Sequence, residues 1–284
     1  MRPPFLSGMT ELFGHPFFLA YICIAKNGHM KAYRHIILPC LMALLMLPVS
    51  CSGKVKEYRV KVVKEYEHDQ TSYTQGLFFD GKQMYESTGQ WGNSTFRKVD
   101  LETGKPLKRL DFNKKYFIEG SVMLDGNLYI LTWTNRVAFI YDAASLEYIR
   151  TVSYPREGWG LTTDGSSLIA SDGSSVLYFL DKDLSVKKKV SVKLEGKPVN
   201  NLNELEWIDG KVWANIYLTD MIVIINPSNG QVEATVDCRG LLPRKLRDKD
   251  TDVLNGIAYE SGEGKIYFTG KNWKRLYEVE LIEK

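Results

Sequence analysis

The sequence predicts an all-β fold, a five-bladed β-propeller closed by an N-terminal strand that pairs with the last blade. Three observations predict it. A weak repeat recurs five times along the chain. Within each copy, short apolar runs alternate with polar residues and are separated by Asp-Gly or Gly-containing turns. One strand-like segment precedes the first copy, and the last copy ends one strand short. A period of about 40 to 50 residues marks propellers and solenoids, and period-two alternation between turn glycines argues for antiparallel hairpins over helices.

The first element is "EYRVKVVKEY", Glu57 to Tyr66, which has no place in the repeat. The five copies open with "YTQGLFFDG", "FIEGSVMLDG", "GWGLTTDG", "LNELEWIDG" and "LNGIAYESGEG". Each has a polar or aromatic residue, then glycine (Glu204 in the fourth), then an apolar run and a turn. A second run follows ("MYEST", "LYILTW", "SLIAS", "VWANIY", "KIYFTG"), and then a third ("TFRKVD", "VAFIYD", "VLYFLD", "MIVIIN", "RLYEVEL"). Four copies add a fourth run, such as "LEYIRTVSY", whereas the last stops at "RLYEVELIEK". The N-terminal segment supplies the missing strand, and radial closure protects the sheet edges.

Residues ahead of that strand read as an export leader. From Met30 the chain has a basic start (Lys31, Arg34, His35), an apolar run from Ile36 to Leu47 and small residues before Cys51. The run is short for a membrane span and fits a signal peptide over residues 30–50. "LPVSC" resembles a bacterial lipoprotein cleavage box, which makes Cys51 the expected lipidation site, residues 51–56 a short linker and residues 57–284 the propeller domain. Plain cleavage without a lipid is the alternative. Residues 1–29 are expected to be an upstream extension from an earlier start codon. The implied location is the bacterial cell envelope, facing the periplasm or the surface, with the lipid as the membrane contact.

Removing the leader changes what the composition means. Of 37 basic residues four precede Cys51, and of 34 acidic residues one does, leaving 33 of each. A neutral mature chain offers no case for a nucleic-acid partner. His68, Cys238 and Cys51 are the His and Cys residues left. A zinc site built on His and Cys lacks ligands, and a Ser-His-Asp or Cys-His nucleophile would rest on His68 alone. His68 itself, in "YEHDQTSY", reads as a surface-loop residue.

In a propeller the first strand of each blade lines the central channel, so equivalent positions form a ring. The residues just before the repeat glycines are Gln75, Glu119, Trp159, Asn203 and Asn255, and none is aliphatic. A second ring, seven residues after each turn glycine, is Thr88, Trp133, Asp172, Tyr217 and Lys271. Unpaired buried polar groups are costly, so two such rings suggest a small-ligand pocket with aromatic walls. The bland reading is ordinary strand-end polarity. For Glu119 and Lys271 it makes solvated residues, and for Asn203 and Asn255 it makes turn residues.

From about Tyr73 onward the chain resembles the plant-type and bacterial glutamine cyclotransferases. The resemblance is carried by "YTQGL", "FIEG", "LTW", "GWGLT", "LNELEW", "VWANIYLTD", "DVLNGIAY" and "TGKNW", in that order. It implies an enzyme that converts the N-terminal glutamine of peptides or proteins to pyroglutamate with release of ammonia, as a monomer and without a cofactor. Glu119 would then be the general acid/base, with Lys271 and Asn203 as catalytic partners. Tyr73, Gln75, Phe117, Trp133, Trp159, Tyr217 and Asn255 would bind substrate. Tyr73 stands where Phe is common in the family and Tyr217 where Trp is common, which bears on substrate preference. Desolvation by Phe117, Trp133 and Trp159 is expected to raise the pKa of Glu119.

Two other classes compete. A non-catalytic propeller that captures peptides or glycans would share the rings without depending on one acid. A metal-dependent lactonase-like propeller would use Glu119, Asn203, Asn255 and Asp172 as ligands for a hard cation, and a structural calcium in the channel stays open. The "VKKKVSVK" run, Val186 to Lys193, reads as an exposed outer strand. The insertion from Leu241 to Gly256 reads as a loop or a short helix over the channel.

Overall fold

The computed structural model describes residues 54–284, so the signal peptide, Cys51 and the upstream extension lie outside the described residues. What is described is all-β, with sheets arranged like propeller blades. Strand β1 (Lys56–Glu67) precedes a sheet of β2 (Thr74–Asp80), β3 (Gln83–Thr88), β4 (Thr95–Val99) and β5 (Pro106–Asp111). The next sheet contains β6 (Ile118–Leu124), β7 (Asn127–Thr132), β8 (Val137–Asp142) and β9 (Tyr148–Ser153). The third contains β10 (Leu161–Thr163), β11 (Leu168–Ala170), β12 (Val176–Leu180) and β13 (Val186–Ser191), followed by the small hairpin β14 (Lys193–Leu194) and β15 (Lys197–Pro198).

The remaining strands are β16 (Leu202–Ile208), β17 (Lys211–Ile216), β18 (Met221–Ile225), β19 (Val232–Asp237), β20 (Leu254–Glu260), β21 (Lys265–Gly270) and β22 (Arg275–Glu283). They form one eight-stranded sheet with β1 at its centre. Strand β1 runs antiparallel to β22 over most of its length, from Tyr58 opposite Glu283 to Glu67 opposite Arg275. Its first residues also pair in parallel with β19, Lys56 opposite Ala234.

Burial follows strand position. The first strands are buried almost throughout, as in Ile118–Leu124, whereas the fourth strands β5, β9 and β13 face solvent. Lys187, Lys188 and Lys189 on β13 are exposed, as an edge strand that must not recruit another chain requires. Apolar side chains meet between successive groups of strands. Phe78 and Phe96 pack with Ile118 and Ile130, Tyr129 and Leu131 with Leu161 and Leu168, and Ile169 and Leu177 with Leu205 and Val212. Trp213 and Ile222 pack with Ile257 and Phe268, and Leu77 and Met84 with Ala258 and Tyr267. The first strands also touch one another in turn, β2 against β6 and β20, β6 against β10, β10 against β16, and β16 against β20.

The repeat glycines sit where these first strands crowd together. A Cβ on Gly120 would stand 2.5 Å from the backbone nitrogen of Leu161 and 2.6 Å from the carbonyl oxygen of Trp159. The fourth copy has Glu204 instead, and its carboxyl reaches across to accept hydrogen bonds from the backbone N–H of Leu77 (3.3 Å) and of Ile257 (2.8 Å). The glycine lost from the repeat is thus replaced by a side chain that binds neighbouring strands.

Candidate active site

Four of the first-ring residues share one local device. The pairing of β2 with β3 slips between Thr74 and Gly76, that of β6 with β7 between Ile118 and Ser121, that of β16 with β17 between Leu202 and Leu205, and that of β20 with β21 between Leu254 and Ile257. Gln75, Glu119, Asn203 and Asn255 lie in these irregularities. A bulge leaves a residue unpaired and re-aims its side chain, which is how strands with a strict two-residue period present polar groups at one end of the fold.

Around them lies a cavity of about 250 Å³ lined by Tyr73, Gln75, Gln90, Phe117, Glu119, Trp133, Trp159, Asn203, Tyr217 and Lys271. Asn255 is not on its wall. It is buried behind Gln75, and its Nδ2 donates to the Thr74 carbonyl (2.9 Å) and to Gln75 Oε1 (3.4 Å). Gln75 Nε2 in turn donates to Glu119 Oε1 at 3.1 Å. Asn203 and Asn255 belong to strands β16 and β20 and hold no turn. Two second-ring members are absent from the wall. Thr88 shares a hydrogen bond with Thr95 (2.7 Å), and Asp172 caps its own loop by accepting from Ser174.

Glu119 is buried, and burial drives its pKa well above the ordinary carboxylate value; the cation of Lys271 opposes the shift and Glu157 adds to it. Lys271 is buried as well, 3 % exposed, which excludes the solvated strand-end reading. Its pKa is pushed down by burial, against the pull of Glu119 and Asp252. The ammonium lies between two rings, 4.8 Å from the centroid of Tyr73 and 4.9 Å from that of Tyr217, where the π faces partly replace lost water. Burial thus drives both groups toward their neutral forms within one small site.

Several contributors were not visible in the repeat. Glu157 accepts hydrogen bonds from the indole N–H of Trp133 (2.8 Å) and of Trp159 (3.2 Å), tying two walls together. Asp252, from the insertion before β20, accepts from the Tyr73 hydroxyl at 2.8 Å. That insertion contains a single 3₁₀ turn, Arg244–Leu246. Gln90 adds an amide to the cavity wall from the loop after β3. Glu157 and Asp252 each precede a ring residue by two or three positions, "EGW" and "DVLN", and that adjacency was their one signal in the sequence.

His68 is a correction. It is buried, with Nδ1 2.8 Å from the Trp273 carbonyl and Nε2 3.1 Å from Glu86 Oε1, and is no surface-loop residue. Glu86 also accepts from Ser72 and Thr74. Among the described residues, no group of three or more His, Cys, Asp or Glu side chains is arranged to hold a metal ion, and no helix is long and apolar enough to cross a membrane.

The structure is thus an all-β body of propeller-like sheets with one carboxylate, one ammonium and no His or Cys lining an aromatic cavity. The model of the glutamine cyclotransferase family matches residues 36–281. A glutaminyl-peptide cyclotransferase of Arabidopsis thaliana is 40% identical over 231 residues, 78% of this chain and 71% of the relative. The crystal structure of Myxococcus xanthus glutaminyl cyclase superposes with a TM-score of 0.76 at 35% identity, covering 81% of this chain and 100% of that one. The chain belongs to the glutamine cyclotransferase family.

Proposed function

We infer that this protein is a glutaminyl-peptide cyclotransferase acting on peptides or proteins that begin with glutamine. The observation that carries the reading is Glu119, a buried carboxyl of raised pKa set in the aromatic cavity beside Lys271, in a chain of that family. The body is read as a five-bladed propeller closed by β1. Support comes from the β1–β22 pairing, from the five apolar clusters between successive groups of strands and from the cyclic contacts of the first strands.

The substrate brings its own nucleophile, so the site has to fold it, move one proton and stabilise one oxyanion. Phe117, Trp133 and Trp159 enclose the side-chain methylenes and exclude water. The free α-amine attacks the side-chain amide carbon, and the new C–N bond closes the five-membered ring. Glu119 takes the proton from the attacking nitrogen and returns it to the departing amide nitrogen, which leaves as ammonia. Lys271 donates to the oxyanion. Asn203, whose buried Oδ1 has no partner among the described residues, accepts from an N–H of the substrate. Gln75 and Asn255 hold the Glu119 carboxyl in line. No cofactor enters this sequence. The protein is further proposed to act as an exported monomer, anchored to the bacterial envelope through a lipid on Cys51.

Incubating residues 51–284 with a Gln-initiated peptide, with and without a chelator, tests the reaction. Ammonia and pyroglutamyl peptide should appear at equal rates in both arms. A protein that only binds the peptide contradicts the enzymatic reading, and chelator-sensitive turnover contradicts the cofactor-free mechanism.

A further inference from the structure

Trp91 stands outside the chemistry described so far. Its side chain is 48 % exposed, yet its ring centroid is 5.6 Å from that of Phe117 and 6.4 Å from that of Trp133, both cavity walls. Most other exposed large apolar side chains among the described residues lie on β1, β5, β9 and β13, far from the first strands; Trp91 and Leu218 instead adjoin residues of the cavity wall. An exposed indole that continues an aromatic wall outward is a surface waiting for an apolar partner.

The loop that carries Trp91 is built to hold it there. Gly89 packs so tightly that any side chain at that position would collide with the Phe117 ring. Its N–H donates to the Tyr73 carbonyl at 2.8 Å. Gln90 adopts φ 128, a conformation foreign to residues with side chains, and its carbonyl accepts from Asn93 N (3.1 Å) and Ser94 Oγ (2.8 Å). Ser94 Oγ also accepts from the backbone N–H of Ile118, the neighbour of Glu119. Strain of this kind persists only where surrounding contacts over-determine it, and it concentrates at functional sites.

A cavity of about 250 Å³ takes in the glutamine and little more. The rest of the peptide must leave through the mouth. Next to Tyr217 in the chain, a depression lined by Leu218, Asp220, Arg247 and Asp252 mixes one aliphatic side chain with charged groups. Beside Phe117 and Trp133, Trp91 continues the wall as an aromatic surface.

We propose that Trp91 is the subsite for the second residue of the peptide and selects aromatic or large aliphatic side chains there. This rests on the cyclotransferase reading. The test compares kcat/KM for Gln-Phe-amide and Gln-Gly-amide in the wild type, Trp91→Ala and Trp91→Phe, with the fold checked by circular dichroism. The wild type should prefer Gln-Phe-amide by about three- to tenfold, Trp91→Ala should abolish most of that preference, and Trp91→Phe should retain it. Equal wild-type rates on the two substrates, or an equal loss on both in Trp91→Ala, overturns the subsite and leaves the enzyme assignment intact. Wild-type protein that releases ammonia from neither substrate overturns the enzyme assignment and the subsite with it.

Discussion

Gln75 donates a hydrogen bond from Nε2 to Glu119 Oε1 at 3.1 Å, and Asn255 in turn donates to Gln75. A donor to a carboxyl favours its ionised form and so restrains the upward pull of burial. Replacing Gln75 by Leu removes that restraint. The acid limb of the pH dependence of kcat/KM should move to higher pH, and kcat should fall by about tenfold as the carboxyl loses its orientation. Asn255→Ala should produce the same displacement in weaker form, because it acts through Gln75. An unmoved limb in both variants would assign the two amides a packing role only.

Glu157 acts on the same carboxyl with the opposite sign. Its charge raises the pKa of Glu119 while its oxygen accepts from both Trp133 and Trp159. Glu157→Gln removes the charge and keeps most of the shape. The acid limb should then move to lower pH, with kcat/KM at neutral pH reduced by about threefold to tenfold as the indole positions loosen. Opposite displacements in Gln75→Leu and Glu157→Gln, read by the same ammonia-release assay, would show that Glu119 is the group that titrates.

The acid itself should trade stability for activity. Glu119→Gln should lower kcat by about 10² to 10⁴, the usual worth of a positioned acid/base. It should also raise the melting temperature at neutral pH. The folded pKa of Glu119 lies above the unfolded value near 4.5, so below that value burial of the neutral acid is free of this penalty. Above it the unfolded chain ionises while the folded one resists, and stability declines as pH rises toward the folded value. The stabilisation by Glu119→Gln should therefore be least below pH 4.5 and grow as the pH rises above it. A pH-independent difference would contradict the raised pKa.

How much of this could be read from the chain depends on whether the signal is periodic. The strands and the ring residues were legible because four of the five copies set a close-packed glycine next to a residue that faces the centre, and the fourth keeps the same register with Glu204 in the glycine's place. Gln75, Glu119, Trp159 and Asn203 follow from that alone, and Trp133, Tyr217 and Lys271 follow from the second ring. Glu157, Asp252 and Gln90 were not legible, since each occurs in one copy only and comes from a loop whose path depends on tertiary contacts, Gln90 to the cavity wall itself and the two acids to the side chains that form it. Thr88 and Asp172 show the converse failure. They have the ring spacing, but local hydrogen bonds to Thr95 and Ser174 claim their side chains. His68 misled for a related reason, because a polar run after a strand reads as surface until its partner Glu86, eighteen residues on, is known.

His68 bears on stability. Its two ring nitrogens face two acceptors, the Trp273 carbonyl and the Glu86 carboxylate, a pairing that only the doubly protonated ring satisfies. Burial alone would lower its pKa, but the Glu86 charge and hydrogen bond outweigh it and the net shift is upward from 6.5. Burial likewise opposes ionisation of Glu86, and His68 with Arg97 overcomes it, so that its pKa is lowered from 4.5. The His68 contribution is fully present below pH 6.5 and is lost as pH rises through the folded value. The Glu86 contribution is present above pH 4.5 and is lost as pH falls through its own folded value. The pair should stabilise most between these limits, where His68→Leu should cost about 3 kcal/mol by stranding a buried carboxylate. The Trp273 that receives His68 also donates its indole N–H to the Asp252 carbonyl, so the same pair braces the turn that carries Lys271. The gap in melting temperature between wild type and His68→Leu should narrow as the pH rises above 6.5. A constant gap across that rise would mean that His68 contributes by packing, with its charge irrelevant.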